Sequence, residues 1–506
     1  MTTRQTSLRT RSIKPNDNIS FPIGTILAFQ QYYERLGLPA IFGRHKRRGR
    51  DINALVAALV SYRLTENQSV TKAADWINRD AVLDTFNLEG FEQRTLYRVL
   101  EIIGENRDEI MAGIQDIVFS LFDFEHTNVN MDWTSFVLYG TQCPLGRYGY
   151  SRDHRPDKQQ ITLGVSELAH PINLPVGMTV RAGNVNDQVH FNDTFEQIKD
   201  RLRKGSLVVF DQGANRKDNL DCIEHHKLNY VTARQINKSD EQTWIKDFDK
   251  TKAELVDADR GVYGVKRTYP SRTTYLYFSE QLYMQQMSSK RRKVERLLDE
   301  ALQVQRSIDT NRGLPKRYQI NNPLIDCQYS YQTKLAQLSD DEARAILKQA
   351  SITGREGFFC LVSSEDLTVQ EALIVYRQKD SLEKIFHSFK NEIDISPLQV
   401  WTEESIYGAL IIGFIAQLFI SLIRFEHQEL KHTAPKFIKL SLMNLTLTVE
   451  YMSAGSQRHI YSNFSPKSPI WMTKRAPRRP PWSNCQTHFP SRISCAKCQT
   501  WVVCDR

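Results

Sequence analysis

Leu207-Val-Val-Phe-Asp-Gln-Gly213 decides how the middle of this 506-residue chain is read. Four apolar residues that stop at an acid predict a short strand buried on both faces, with Asp211 at its C-terminal tip. An acid within a strand is usually an edge or turn residue. Asp211 resists that reading, because ligands of open α/β sheets gather outside the carboxyl ends of the strands. Upstream, residues 128–138 alternate as a strand would, and 160–168 and 174–181 are two further strand candidates separated by Gly-, Pro- and Asp-containing turns. Residues 188–202 are expected to be helical. Downstream, 219–226 predict another helix and 229–234 a fifth strand. The resulting order is βββαβαβ.

That order describes an α/β fold with an RNase H-like mixed sheet: three antiparallel strands, then parallel additions through helices. The core is expected to begin at 123–235 and then to be interrupted. Residues 236–368 carry their own strand candidate at 273–278 and a charged helix near 290–308. Val294, Leu297, Leu298, Ala301, Leu302 and Ile308 form that helix's apolar stripe. This stretch is read as a large insertion before the last catalytic helix, either clamping DNA, contacting a second subunit, or simply packing. The core resumes at 369–450 with a helix running to about 391. Ahead of it, 1–122 is expected to be a helical, DNA-binding domain. Its candidate helices start at 51, where Asp51 could cap, at 69 and at 93, and the basic cluster 44–50 lies among them. A plain helical bundle with a solvated basic loop is the alternative there.

Composition narrows the function classes. Lys and Arg total 67 against 58 acids, a net charge of +9, which favours an anionic partner such as nucleic acid. Residues 1–20 are polar and basic with no apolar run, so secretion is not expected. Residues 407–423 are almost wholly apolar but contain Gln417 and Ser421, and a buried core helix is the expectation rather than a membrane span. Four scattered cysteines fit a reduced, cytoplasmic protein. The tail, 451–506, is basic and Pro-rich at 474–481. Cys485-Gln-Thr-His488 and Cys495-Ala-Lys-Cys498 could together hold a structural Zn²⁺, although only six residues separate the pairs.

The candidate chemistry rests on three carboxylates. Phosphoryl transfer needs an attacking oxygen activated and a leaving oxygen stabilised, and two metal ions ~3.5–4 Å apart do both. Mg²⁺ prefers oxygen ligands and keeps several waters, so a few converging acids suffice. Asp132 on the first strand, Asp211 at the tip of the fourth and Glu383 on the late helix are the candidates for both catalysis and metal binding. Asp153 and Asp157 are read as hairpin-turn residues, with an approach to the substrate as the alternative, and Asp187 as the cap of the helix that follows it.

Five blocks in order carry a resemblance to a known family. They are Met131-Asp-Trp-Thr134, Gly149-Tyr-Ser-Arg-Asp-His-Arg-Pro-Asp-Lys-Gln159, Gly183-Asn-Val-Asn-Asp187, Val209-Phe-Asp-Gln-Gly-Ala-Asn215 and Tyr376-Arg-Gln-Lys-Asp-Ser-Leu-Glu-Lys-Ile-Phe-His-Ser-Phe-Lys390. From about 128 to 425 the chain resembles the DDE transposases of prokaryotic insertion sequences, in the group with the Tyr–Arg–Glu–Lys signature. The resemblance implies a DNA transposase that binds the ends of its element and catalyses metal-dependent strand cleavage and transfer. It further implies Mg²⁺ (two ions, Mn²⁺ substituting) and double-stranded DNA partners, both terminal inverted repeats and target. A homodimer or higher oligomer on DNA and a cytoplasmic, nucleoid-associated setting with no membrane follow. Asp132, Asp211 and Glu383 then take the catalytic places. The signature's Arg place holds Lys379. On one continuous helix Tyr376, Lys379, Glu383 and Lys390 fall within about 60° of one another, whereas Arg377 falls well off that face. Tyr376, Lys379 and Lys390 are therefore expected to hold DNA-end phosphates. An RNase H-like nuclease without transposition activity, or a catalytically inactive DNA-binding relative, are the alternatives.

Overall fold

The computed structural model describes residues 19–427, apart from 23, 46–50, 67, 122–127, 140–141, 311–320, 327–331, 394–397 and 399, together with the strands Leu445–Glu450 and His459–Phe464. The basic cluster from 46 onward and the Pro-rich, Cys-containing tail lie outside the described residues. The chain divides into two compact units, one of residues 1–203 with 380–506, the other of residues 204–379.

After the strand Ile19–Pro22, which pairs with Leu445–Glu450, the described residues of the first unit form α1 (Gly24–Arg35), α2 (Leu38–Gly43), α3 (Ile52–Thr65), α4 (Val70–Ile77), α5 (Asp80–Phe86), α6 (Arg94–Glu105) and α7 (Arg107–Leu121). Two of their starts are set by local chemistry that the sequence displays. Asp51 accepts the amide of Ala54 and Ser69 that of Lys72, each satisfying a donor left open at a helix start. Three antiparallel strands follow, β1 (Val129–Val137), β2 (Gln160–Leu168) and β3 (Leu174–Ala182), then α8 (Asp187–Glu196). Every residue of β1 and β2 is buried, so both faces of the strands are covered.

The unit closes with α13 (Asp380–His387) and α14 (Glu403–Glu426), numbered after the helices of the second unit. α14 is the apolar helix foreseen near 407–423. It is long and apolar enough to cross a membrane, but 94% of its apolar window is buried inside the protein. It packs on α6, α3 and β3. Two glycines permit the closest crossing: a Cβ on Gly104 of α6 would run into the Glu404 carbonyl, and one on Gly408 of α14 into the Leu100 carbonyl.

The second unit is built on β4 (Leu207–Phe210) and β5 (Asn229–Arg234), which pair in parallel and are joined by α9 (Lys217–His225). Four strands from the next stretch extend that sheet in antiparallel fashion: β6 (Glu254–Asp257), β7 (Val262–Tyr269), β8 (Arg272–Ser279) and β9 (Phe358–Ser363), in the order β4-β5-β9-β8-β7-β6. Part of 236–368 is thus continuous with the β4–β5 sheet. The rest projects as α10 (Glu280–Asp309), whose stripe of Val294, Leu297, Leu298, Ala301 and Val304 packs on Ala343 and Leu347 of α11 (Asp340–Ser351). α12 (Val369–Arg377) then covers the sheet, touching β4, β5, β7 and β9. Along the chain, β1-β2-β3-α8-β4-α9-β5 is the order of an RNase H-like core, and the fold is mixed α/β with an N-terminal helical part.

Candidate active site

In the second unit Asp211 follows directly on β4. The fully buried Leu207–Phe210 ends there, and Asp211, in extended conformation, leads into the short turn Gln212–Ala214. Its carboxylate is 42% exposed and has two partners. Tyr376 donates its hydroxyl to Oδ1 at 2.7 Å, and the Lys379 ammonium stands 3.0 Å from Oδ2. Lys379 also lies 5.9 Å from the centre of the Tyr376 ring. Lys379 is 5% exposed, so a buried ammonium is held against a half-exposed acid. The segment 376–390 therefore meets the strand-tip acid through Tyr376 and Lys379. Arg377 turns elsewhere and pairs with Asp257 at 2.5 Å.

In the first unit Asp132 sits mid-way along β1, 9% exposed, with one carboxylate oxygen accepting the Trp133 amide at 2.8 Å. Glu383 is exposed on α13, a helix that packs on β1 through its buried face of Leu382, Ile385 and Phe386. Lys390 lies beyond α13, pairs with Asp153 at 2.7 Å and stands 5.4 Å from the centre of the Phe136 ring.

One continuous helix does not carry the signature block. α12 ends at Arg377 and α13 begins at Asp380, and Lys390 falls in a π-helical turn, Ser388–Glu392. The break has no Gly or Pro. Instead the Lys379 amide bonds back to the Tyr376 carbonyl, three residues away, which tightens the turn that ends α12. The single-face expectation for Tyr376, Lys379, Glu383 and Lys390 is corrected accordingly: Tyr376 and Lys379 act on Asp211 in one unit, Glu383 and Lys390 belong to the other. Among the described residues no group of three His, Cys, Asp or Glu side chains is arranged to hold one metal ion.

One smaller expectation is also corrected. Asn186, not Asp187, caps α8 by accepting the Val189 amide, and Asp187 pairs with Arg152 at 2.7 Å. Asp153 and Asp157 both lie in turns between β1 and β2, as expected; Asp157 is engaged with Arg155 and Asp153 with Lys390.

One buried acid escaped the sequence reading. Glu167 of β2 is fully buried and lies opposite Asn130 of β1 in the strand register. Its Oε2 accepts from the Ser381 hydroxyl at 2.5 Å and from the Asn130 amide at 3.4 Å. Burial pushes the carboxyl up to about 8, against the opposing pull of Ser381, Asn130 and nearby Lys384. The only available signal was an acid flanked by residues that are all buried. Alternation could not reveal it, because β2 has no solvent face.

Comparison with known proteins fits this chemistry. The family model "Transposase DDE domain" matches residues 124–419, more than half of the chain, a span that contains all three candidate carboxylates. The chain belongs to the DDE transposase family. A comparison with curated proteins finds no match. Among solved structures, a cryo-EM structure of the piggyBac transposase synaptic complex with hairpin DNA is similar at 12% identity, with 85% of this chain and 82% of that chain covered and a TM-score of 0.38. That likeness is too low to bear on this chain's site.

Proposed function

We propose that this protein is the transposase of an insertion sequence, binding the element's terminal inverted repeats and catalysing divalent-metal-dependent strand cleavage and strand transfer. One observation carries the reading: within the family's matched span, the strand-tip acid Asp211 is engaged by Tyr376 and Lys379 of the signature block. The donor chemistry suits Mg²⁺, since Asp132, Asp211 and Glu383 are all hard oxygen ligands. The ammonium on Asp211 is a further sign that this acid calls for a cation. These three residues would hold two ions. When bound, such ions activate an attacking oxygen and stabilise a leaving one.

The chain's own residues do the positioning. Tyr376 fixes the rotamer of Asp211 by donating to Oδ1, leaving the other oxygen to a cation. Lys379 neutralises Asp211, and a DNA phosphate would compete with that acid for its ammonium. Lys390, beside Asp153, offers a second cation for end phosphates. Lys serves there as a point charge without the two-pronged grip of Arg. The N-terminal helical part, acting with a second copy of the chain on DNA in the cytoplasm, would recognise the repeats.

The test uses the full chain, a plasmid carrying both element ends, a target plasmid and Mg²⁺. Joined products with wild type and none with Asp211→Asn are expected. Cleavage without any joining would move the assignment to a nuclease, and end binding with no cleavage in any divalent metal would leave an inactive DNA-binding relative.

A further inference from the structure

Glu167, Asn130 and Ser381 form a buried polar contact lying wholly inside the first unit, and nothing in the chemistry above uses it. The strand register sets Glu167 of β2 directly opposite Asn130 of β1. Asn130 lies two residues before Asp132, so the two side chains leave the same face of β1. On the other side, Ser381 lies in the first turn of α13, two residues before Glu383. Two residues along a helix turn the side chain through about 200°, so a residue bound inward at 381 sends 383 outward. Ser381 is half-buried and Glu383 is exposed, in keeping with that turn. One carboxyl oxygen thereby joins the strand that bears Asp132 to the helix that bears Glu383.

Burying a carboxyl among apolar strands is costly, and an apolar side chain would fill the same space at lower cost. Packing alone therefore does not account for the acid. We propose that Glu167 is a positioning residue: by anchoring Ser381 to Asn130 it sets the placement of Glu383 relative to Asp132. The inference rests on the metal reading of those two acids. The role requires an acceptor oxygen and no charge, because both donors converge on Oε2. A Gln amide oxygen can supply the same acceptor; a Leu of similar volume cannot.

The experiment titrates Mn²⁺ into the full-length chain, followed by electron paramagnetic resonance, with thermal melting recorded alongside. The variants are Glu167→Gln, Glu167→Leu, Ser381→Ala and Asp132→Asn. Asp132→Asn should abolish the tight signal, and Glu167→Leu and Ser381→Ala should each weaken Mn²⁺ at least fivefold. Glu167→Gln should stay within twofold of wild type. Should Glu167→Leu fail to fold, Ser381→Ala, which keeps the acid in place, decides alone. Wild-type affinity in a folded Glu167→Leu or in Ser381→Ala, with Asp132→Asn still defective, would overturn the positioning role and spare the metal site. No Mn²⁺ bound by wild type would defeat the metal reading itself, and this inference with it.

Discussion

Asp211 and Glu167 are both acids on strands of the same protein, and their surroundings make them opposites. Asp211 stands at the open end of β4, 42% exposed, with an ammonium 3.0 Å away. Glu167 lies within β2, fully buried, and is contacted at hydrogen-bond distance by a hydroxyl and an amide. The strand-tip acid is open to a cation, whereas burial drives the internal acid towards its neutral form. Asp211 at a strand end and Glu167 inside a strand thus differ in exposure and in the partners that reach them. Tyr376 and Lys379 reach the first acid, and Ser381 the second.

The largest effect should come from neutralising the metal-type acids. Asp132→Asn, Asp211→Asn and Glu383→Gln should each lower cleavage and joining on the order of a thousandfold or more while end binding persists, since lost charge stabilisation in the transition state is not replaced. Cleavage and gel-shift assays on the same DNA separate the two. Robust cleavage by one variant would remove that residue from the site.

Lys379 and Arg377 offer a smaller and sharper discrimination. Lys379→Ala should weaken stable end-complex formation by roughly tenfold, a loss of about 1.4 kcal/mol. Arg377→Ala should change it far less, because Arg377 is committed to Asp257. The reverse ranking, measured by competition binding, would show that the wrong basic residue has been assigned to the signature.

The smallest effect is a pH dependence of stability from Glu167. Its folded value, about 8, lies above the ordinary carboxylate range. The folded chain therefore keeps a proton that the unfolded chain releases near pH 4.5. The contribution is complete below that pH and is lost progressively as pH rises through about 8. The groups acting on it are Ser381, Asn130 and Lys384. Urea unfolding at pH 5 and pH 8.5 should show the stability of wild type relative to Glu167→Gln falling across that window. Parallel behaviour of the two chains would mean that Glu167 is ionised throughout.

Much of this arrangement is legible in the chain. The run Leu207–Phe210 announces its strand because nothing in it can face water, and the acid that ends it marks the tip. Asp51 and Ser69 announce helix starts through an oxygen that can reach back to a free amide. The remainder depends on tertiary contacts. The turn at Gln378 and Lys379 contains no helix breaker; it is associated with a lysine drawn inward to an acid 168 positions earlier in sequence. Glu167 is hidden because a strand covered on both faces has no alternation to violate. The cap of α8 differs from expectation by one residue because Asn186 and Asp187 are both good caps, and Arg152 engages the second.

The proposed function requires that this chain cut and join DNA with divalent metal. The most direct test incubates the wild-type chain with DNA bearing the element's ends and a target plasmid in Mg²⁺, Mn²⁺, Ca²⁺ or EDTA, and reads cleaved and joined strands on denaturing gels. Cleaved and joined strands in Mg²⁺ or Mn²⁺, binding without efficient chemistry in Ca²⁺ and no products in EDTA are predicted; full activity in EDTA would contradict it.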